Sequence, residues 1–456
     1  MTEDLGPGFE VLPQDERRPR RAGRLLTAVT AAVVLAGGGV ATYAAFAGDD
    51  PGADSPKAAV AAMIDDLSHS DLLGVVDDLA PGERDAIRGA LTDDVAALKR
   101  LGVLSKSADP SSISGLSFTP HDLSYAAPVK ITDSVQVVPI DGGSFDVSAS
   151  LAKLPLTSRL LDLAKGAKQT TSQHQKITAD EPLRIAAQQV GGRWYASVFY
   201  SVADQAADHK VPSAGDHIPA QGADSAESAV RTMLTDLTGG KVREAIALIS
   251  PAELGALHDY GGLLADKASR GAKLPVSITS LDTKTAPVDG GTEVTITKLQ
   301  ATAMGQKLTV QVAGGCVKIA SAFITKNLCG ADIADTIAGF VTAMTCSSGF
   351  SHGVHSAPVA DSGSGFASPG PDMRTNPDVS YEPLSSHRSC AAPTFTPAQK
   401  TALAHLFTGL LGAGVITTKV DGDWYVAPVR TLAHVGSSTL SALQGDDLFA
   451  LASLGR

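Results

Sequence analysis

Aromatic residues are scarce in this chain. They make up 5% of 456 residues and include only two tryptophans, so its cores have to be built from aliphatic side chains. Positive charge is also short: 37 Lys and Arg stand against 48 Asp and Glu, a net charge of −11. No Lys/Arg stripe interleaved with aromatics occurs past residue 50. Nucleic acid is therefore excluded as a partner, because phosphate binding needs a basic surface. Cysteine is limited to four residues. What is plentiful is apolar sequence, at 43%, which excludes global disorder. The length suits two or three domains.

Residues Leu25 to Ala47 form the one long apolar run, with no charged residue. As a helix it would span roughly 30 Å, the thickness of a bilayer core. Arg17, Arg18, Arg20, Arg21 and Arg24 precede it, and Asp49, Asp50 and Asp54 follow it. The positive-inside rule then predicts a cytoplasmic tail over 1–24, a single transmembrane helix over 25–47, and an extracytoplasmic bulk after a short linker at 48–54. Ala45-Phe46-Ala47 also fits a signal-peptidase site, so a secreted form cleaved after Ala47 is the competing expectation.

The remainder carries an internal repeat. Ala59-Val60-Ala61-Ala62-Met63-Ile64-Asp65-Asp66-Leu67 aligns with the stretch from Ala229 to Leu237, with five of nine positions identical. The same offset of 170 carries Pro81 onto Pro251 and Glu83 onto Glu253. Gly192-Arg193-Trp194-Tyr195 matches Gly422-Asp423-Trp424-Tyr425 at an offset of 230. The predicted domains are 55–207 and 225–456, joined by a polar linker over 208–224. An insertion in the second, about 314–396, absorbs the difference in offset.

Each unit reads as helices followed by strands. Val60, Met63, Ile64 and Leu67 recur at helical spacing. Ser250-Pro251-Ala252-Glu253 has the form of a capping box with proline in the first turn. Val135-Gln136-Val137 and Leu308 to Val312 alternate as strands do, and Gly142-Gly143 and Gly290-Gly291 are placed as turns. Helices first and an antiparallel sheet after them make an α+β fold. The AVAAMIDDL helix, the PGE or PAE helix start and the final GRWYASVFY or GDWYVAPV strand resemble NTF2-like (cystatin-like) domains, in particular those of membrane-tethered actinobacterial envelope proteins. The resemblance implies two cone-shaped domains. That family includes isomerases and dehydratases as well as non-catalytic binding modules, so fold alone does not assign an activity.

The cysteines Cys316, Cys329, Cys346 and Cys390 all fall in or beside the insertion. An even count in an extracytoplasmic domain predicts disulfides, with Cys316–Cys329 and Cys346–Cys390 the preferred pairing of three possibilities. A metal site that also draws on His352, His355 and His387 is the alternative, although the cysteine spacings are not those of zinc sites. Between them, Ile333, Ile337, Phe340, Val341 and Met344 predict an amphipathic helix, and Thr396-Pro397-Ala398-Gln399 predicts a second capping box.

Catalytic patterns are few. Gly349-Phe350-Ser351-His352-Gly353 matches a nucleophile elbow without the strand and helix that such an elbow needs. Ser150-Leu151-Ala152-Lys153 matches S-x-x-K, but the chain contains no S-x-N or K-T-G. His121-Asp122 has no counterpart in the second unit, and neighbouring aspartates such as Asp65-Asp66, Asp77-Asp78 and Asp93-Asp94 diverge by about 100° on a helix. Trp194, Tyr195, Trp424 and Tyr425 read as core anchors. No catalytic, cofactor or metal residue is assigned. The expected function is a non-catalytic, membrane-anchored extracytoplasmic binding or scaffold module, with another envelope protein, a wall polymer or a lipid as partner. An apolar-ligand carrier or sensor using a cone pocket, and then a hydrolase or isomerase, are the alternatives.

Overall fold

The computed structural model describes residues 52–165, 169–268, 276–303, 305–322, 325–330, 332, 336 and 395–453. Within them the chain is α+β: helices carry the start of each unit and an antiparallel sheet follows. One expectation is corrected here. Among the described residues no helix is long and apolar enough to cross a membrane. The longest, Pro81–Arg100, has 20 residues but carries charged residues along its whole length, from Glu83 to Arg100. The expected span over 25–47, its arginines Arg17, Arg18, Arg20, Arg21 and Arg24, and the tail over 1–24 lie outside the described residues.

The first unit opens with α1 (Pro56–Ser68), α2 (Leu72–Asp77) and α3 (Pro81–Arg100). Their starts are written locally. Ser55 caps α1 by accepting from the Ala58 amide, Asp71 caps α2 by accepting from Gly74, and prolines occupy the first turns of α1 and α3. Strands β1 (Leu116–Tyr125), β2 (Val129–Lys130) and β3 (Val135–Ser150) follow, then α4 (Ser158–Leu163), β4 (Thr170–Ile177), β5 (Leu183–Val190), β6 (Arg193–Ser197) and α5 (Val198–Ala206). The long β3 is the spine of a six-stranded sheet. It pairs with β5 along its first half and with β4 along its second, while β1 and β2 hold its other edge.

Gly142-Gly143 therefore does not turn the chain, as expected from the sequence, but lies inside β3. The pair bends the strand where β1 bulges: Gly143 has φ 96°, and a side chain there would meet the His121 carbonyl at 2.5 Å.

The second unit repeats the order. It comprises α6 (Ala226–Thr238), α7 (Val242–Ala247), α8 (Pro251–Asp259), α9 (Gly261–Ala268), β7 (Val276–Val288), β8 (Gly291–Ala303), β9 (Gln306–Ala313), β10 (Cys316–Ser321), β11 (Thr325–Cys329), α10 (Pro397–Gly412), β12 (Val415–Val420), β13 (Asp423–Val426), α11 (Pro428–Ala442) and α12 (Asp447–Ala452). Here β8 is the spine. The expected turn at Gly290 closes the β7–β8 hairpin, and β10 and β11 extend the sheet beyond β9 to seven strands. Thr396 and Gln399 form the expected capping box of α10 through reciprocal side-chain and backbone hydrogen bonds.

The two sequence offsets recur in the backbone pairing. Ala53 exchanges hydrogen bonds with Trp194, and Ala223 does so with Trp424. Leu79 bridges Ala196 in parallel, and Ile249 bridges Val426 in the same way. In both units the Trp-Tyr strand is thus clasped by the residues flanking the first two helices.

The main core of the first unit packs Val60, Met63, Ile64 and Leu79 against Phe118, Ile140, Phe145 and Ile185. A second core belongs to neither unit alone: Val135, Val137, Tyr200, Ala203 and Ala207 of the first pack with Ala256 and Tyr260 of the second. The contact is reciprocal. Helix α3 lies against α11, α8 lies against α5, and α3 meets α8 at the centre. A Cβ added to Gly82 would stand 1.8 Å from the carbonyl oxygen of Ala252, its equivalent at the offset of 170. Equivalent positions touching each other is the signature of a two-fold contact, here formed within one chain.

Candidate functional site: the seam between the units

The seam concentrates the buried polar chemistry, and it begins at the two glutamates. Glu83 is 4% exposed. One of its oxygens accepts from the Ser197 hydroxyl, and the other accepts from the amides of Val198 and Phe199. It therefore caps α5 from across the unit. Burial pushes its carboxyl up to about 7, against the lowering effect of these donors.

Glu253 is the equivalent residue, 3% exposed. It does not close the local box expected with Ser250, whose hydroxyl instead accepts from Thr418. Glu253 reaches the start of α11, accepts from the Val429 amide and pairs with Arg430 at 2.9 Å. Burial raises its carboxyl, and the Arg430 charge opposes that rise. The box failed locally because a helix start in another part of the fold offered the carboxylate unpaired amides and a cation.

Two further arrays tie the linker over 208–224 into the seam. Arg184 grips Asp204 through two hydrogen bonds of 2.8 and 2.9 Å, and His209 from the linker lies 2.7 Å from the same carboxylate. Asp204 has no exposed surface. Burial pushes its carboxyl up, but the His209 and Arg184 contacts outweigh it and the net direction is down. Tyr200 donates to Asp259 at 2.6 Å across the seam, and His217 sits 3.1 Å from the other oxygen of Asp259. Burial, then the Asp259 charge, hold the Tyr200 hydroxyl well above its usual range. Lys267 completes the junction by donating to the Ala206 carbonyl and to Asp208.

A groove of 520 Å³ opens at one end of the seam, between α4 of the first unit and α10 and α12 of the second. Leu163, Ala398, Phe449 and Ala450 supply an apolar lining. Arg159 stacks on Phe449 at 4.0 Å from the ring centre and pairs with Asp446. These residues offer an aromatic and aliphatic surface edged by Arg159, Asp162 and Asp446, and they contain neither a nucleophile nor a paired acid and base.

The residues singled out in the sequence are dispersed. Cys316 and Cys329 are disulfide-bonded and face each other across β10 and β11. Cys346 and Cys390, the amphipathic stretch Ile333 to Met344 apart from residue 336, and the Gly349 to Gly353 pattern with His352, His355 and His387 lie outside the described residues. His121 does not engage Asp122. It pairs with Asp146 at 2.8 Å, and His174 holds the other oxygen of that carboxylate at 2.8 Å, on an exposed strand face. Ser150 ends β3, and Lys153 lies in an exposed turn beyond it. Among the described residues no three His, Cys, Asp or Glu side chains are arranged to hold a metal ion.

Aspartates from different pairs do converge. Asp66 on α1 and Asp78 at the end of α2 come together, and burial followed by the Asp66 charge pushes the Asp78 carboxyl to about 7. Spacing along the chain carries no signal of that meeting, because it depends on how two helices cross.

No protein-family model, curated protein or solved structure matches this chain.

Proposed function

We propose that the chain is a non-catalytic binding or scaffold module working on the extracytoplasmic side of a cell envelope, with the seam groove as its contact surface. The observation that carries this reading is the filled interior of the first unit. Val60, Val138, Ile140 and Phe145 have no exposed surface, and Phe118 packs on Phe145 at 4.5 Å. An interior closed in this way leaves recognition to the outside of the molecule. The Cys316–Cys329 bond supports an oxidising compartment. The aliphatic lining around the Arg159–Phe449 stack suits a segment of another envelope protein, a wall polymer or a lipid chain. The resemblance to NTF2-like modules of envelope proteins points the same way.

A carrier of apolar ligands is the second reading, and it draws on the second unit. There the aliphatic residues Leu308, Val310, Val312, Val317 and Ile319 of β9 and β10 are only partly covered. A photo-cross-linking residue at position 398, used in intact cells, tests the two readings. A defined envelope component captured in a Phe449-dependent manner supports the first. Absence of such an adduct, together with an apolar molecule retained by the purified chain in native mass spectrometry, transfers support to the second.

A further inference from the structure

The two reciprocal crossings of the seam are chemically unlike. At the α8–α5 crossing, where the start of α9 joins, Ala256, Tyr260, Leu263 and Leu264 pack with Tyr200, Ala203 and Ala207, and the Asp259 carboxylate there is paired with Tyr200 and His217. At the α3–α11 crossing stands Asp94, 6% exposed, with its Oδ1 buried and without a hydrogen-bond partner. Gly436 of α11 faces it, since a Cβ there would lie at an ordinary contact distance of 3.7 Å from Asp94 Oδ2. At the two sequence offsets, the counterparts of Asp94 and Gly436 are Leu264 and Ala206. One crossing is therefore closed by a leucine where the other buries a carboxyl.

We propose that the seam is a proton-gated joint, closed at the α3–α11 crossing when Asp94 is neutral and loosened there when Asp94 is ionised, while the α8–α5 crossing stays shut. An unpaired carboxylate in a helix–helix contact is strongly disfavoured, and the contact relieves it by opening to water. The surrounding charges do not compensate Asp94. On α11, Arg430 is paired with Glu253, and His434 with Glu293 at 3.0 Å. On α8, both ring nitrogens of His258 face carbonyl oxygens, and Asp259 is held by Tyr200. On α2, Asp77 pairs with Arg88 of α3. On α3 itself, Arg100 donates to the Leu440 and Leu443 carbonyls of the α11 end, and the neighbouring Asp93 adds a like charge. Burial first, and Asp93 second, lift the Asp94 carboxyl from 3.8 to about 6. The joint accordingly works between mildly acidic and neutral pH.

Loosening has a route to the surface. Helix α11 runs through Leu443 into the loop that carries Asp446, the residue that anchors Arg159 in the groove. The joint itself does not depend on the groove having a ligand.

Hydrogen exchange on the full chain at pH 5 and pH 7, corrected for intrinsic rates, tests the joint. A carboxyl that titrates near 3.8 when exposed and near 6 when buried makes opening about tenfold more favourable at the higher pH. Peptides from α11 should lose about tenfold in protection beyond the loss that Glu83 ionisation imposes on the whole fold, and peptides from α6, which packs on its own sheet, should show only that shared loss. D94L, which copies the other crossing, and D94N should each remove the α11 response. If D94L fails to fold, D94N decides. Equal losses in α11 and α6 between the two pH values in the native chain, or an excess α11 loss that persists in D94N, overturns the proposal.

Discussion

Glu83→Gln is the sharpest test of how this fold buries charge. The native carboxyl is 4% exposed and is lifted by desolvation from the ordinary 4.5 to about 7. A carboxyl with a raised folded value binds its proton more tightly in the native state than in the unfolded chain. Its effect on stability is therefore most favourable at low pH, and stability falls as pH rises through the interval from 4.5 to about 7. Between pH 5 and pH 8 this one group should withdraw about 3 kcal/mol. Glutamine has nearly the same shape and accepts from the Val198 amide, but it carries no charge to desolvate. Urea denaturation of the native chain and of E83Q, followed through tryptophan fluorescence, should give similar midpoints at pH 5. At pH 8, E83Q should be the more stable by about 3 kcal/mol. The reasoning fails if E83Q is destabilised equally at both pH values, which would make the capping hydrogen bonds to α5 depend on the charge itself.

Other perturbations probe the seam and the hairpin. Gly82→Val should force α3 away from the Ala252 carbonyl and cost about 2 kcal/mol as overpacking, with a larger radius of gyration in small-angle scattering; an unchanged radius and midpoint would remove the close approach from the argument. Arg184→Ala should cost roughly 3–5 kcal/mol in chemical denaturation by leaving Asp204 buried without its two hydrogen bonds. A second change, Asp204→Ala, should recover part of that loss, and no recovery would mean that packing, not charge, was removed. Reduction of Cys316–Cys329, a bond closing a separation of 13 residues, should weaken the β10–β11 hairpin by about 3 kcal/mol in the chain-entropy model. The readout is faster exchange at Val317 and Leu328, and unchanged exchange after reduction would count against it.

Local signals were legible wherever a residue acts on its own turn of chain. Ser55 and Thr396 cap the helices that follow them, prolines open α1, α3, α8, α10 and α11, and Asp289-Gly290 closes a hairpin. Cys316 and Cys329, 13 residues apart, are bonded as the sequence predicts. Where partners come from elsewhere, local grammar misled. Gly142-Gly143 has the composition of a turn, yet β1, β4 and β5 all pair with the strand that contains it. Ser250 and Glu253 have the spacing of a capping box, yet the charge of Arg430 and the free amide of Val429 draw Glu253 away. Chain order puts His121 next to Asp122, whereas strand register sets it beside Asp146.

By itself, the sequence determined the repeated order of helices and strands, the aliphatic character of the cores, and the caps and turns that depend on residues a few positions apart. Only the tertiary structure decided that the two units share a core, that Tyr260 is fully buried against Tyr200 and Ala203, and that Asp94 is enclosed where Leu264 would be its counterpart. The reason is physical. Periodicity and capping are set by short-range sterics and hydrogen bonds, which the chain records in adjacent letters. The burial of a charge or the meeting of two faces depends on which surfaces exclude water together, and residues far apart in sequence settle that jointly.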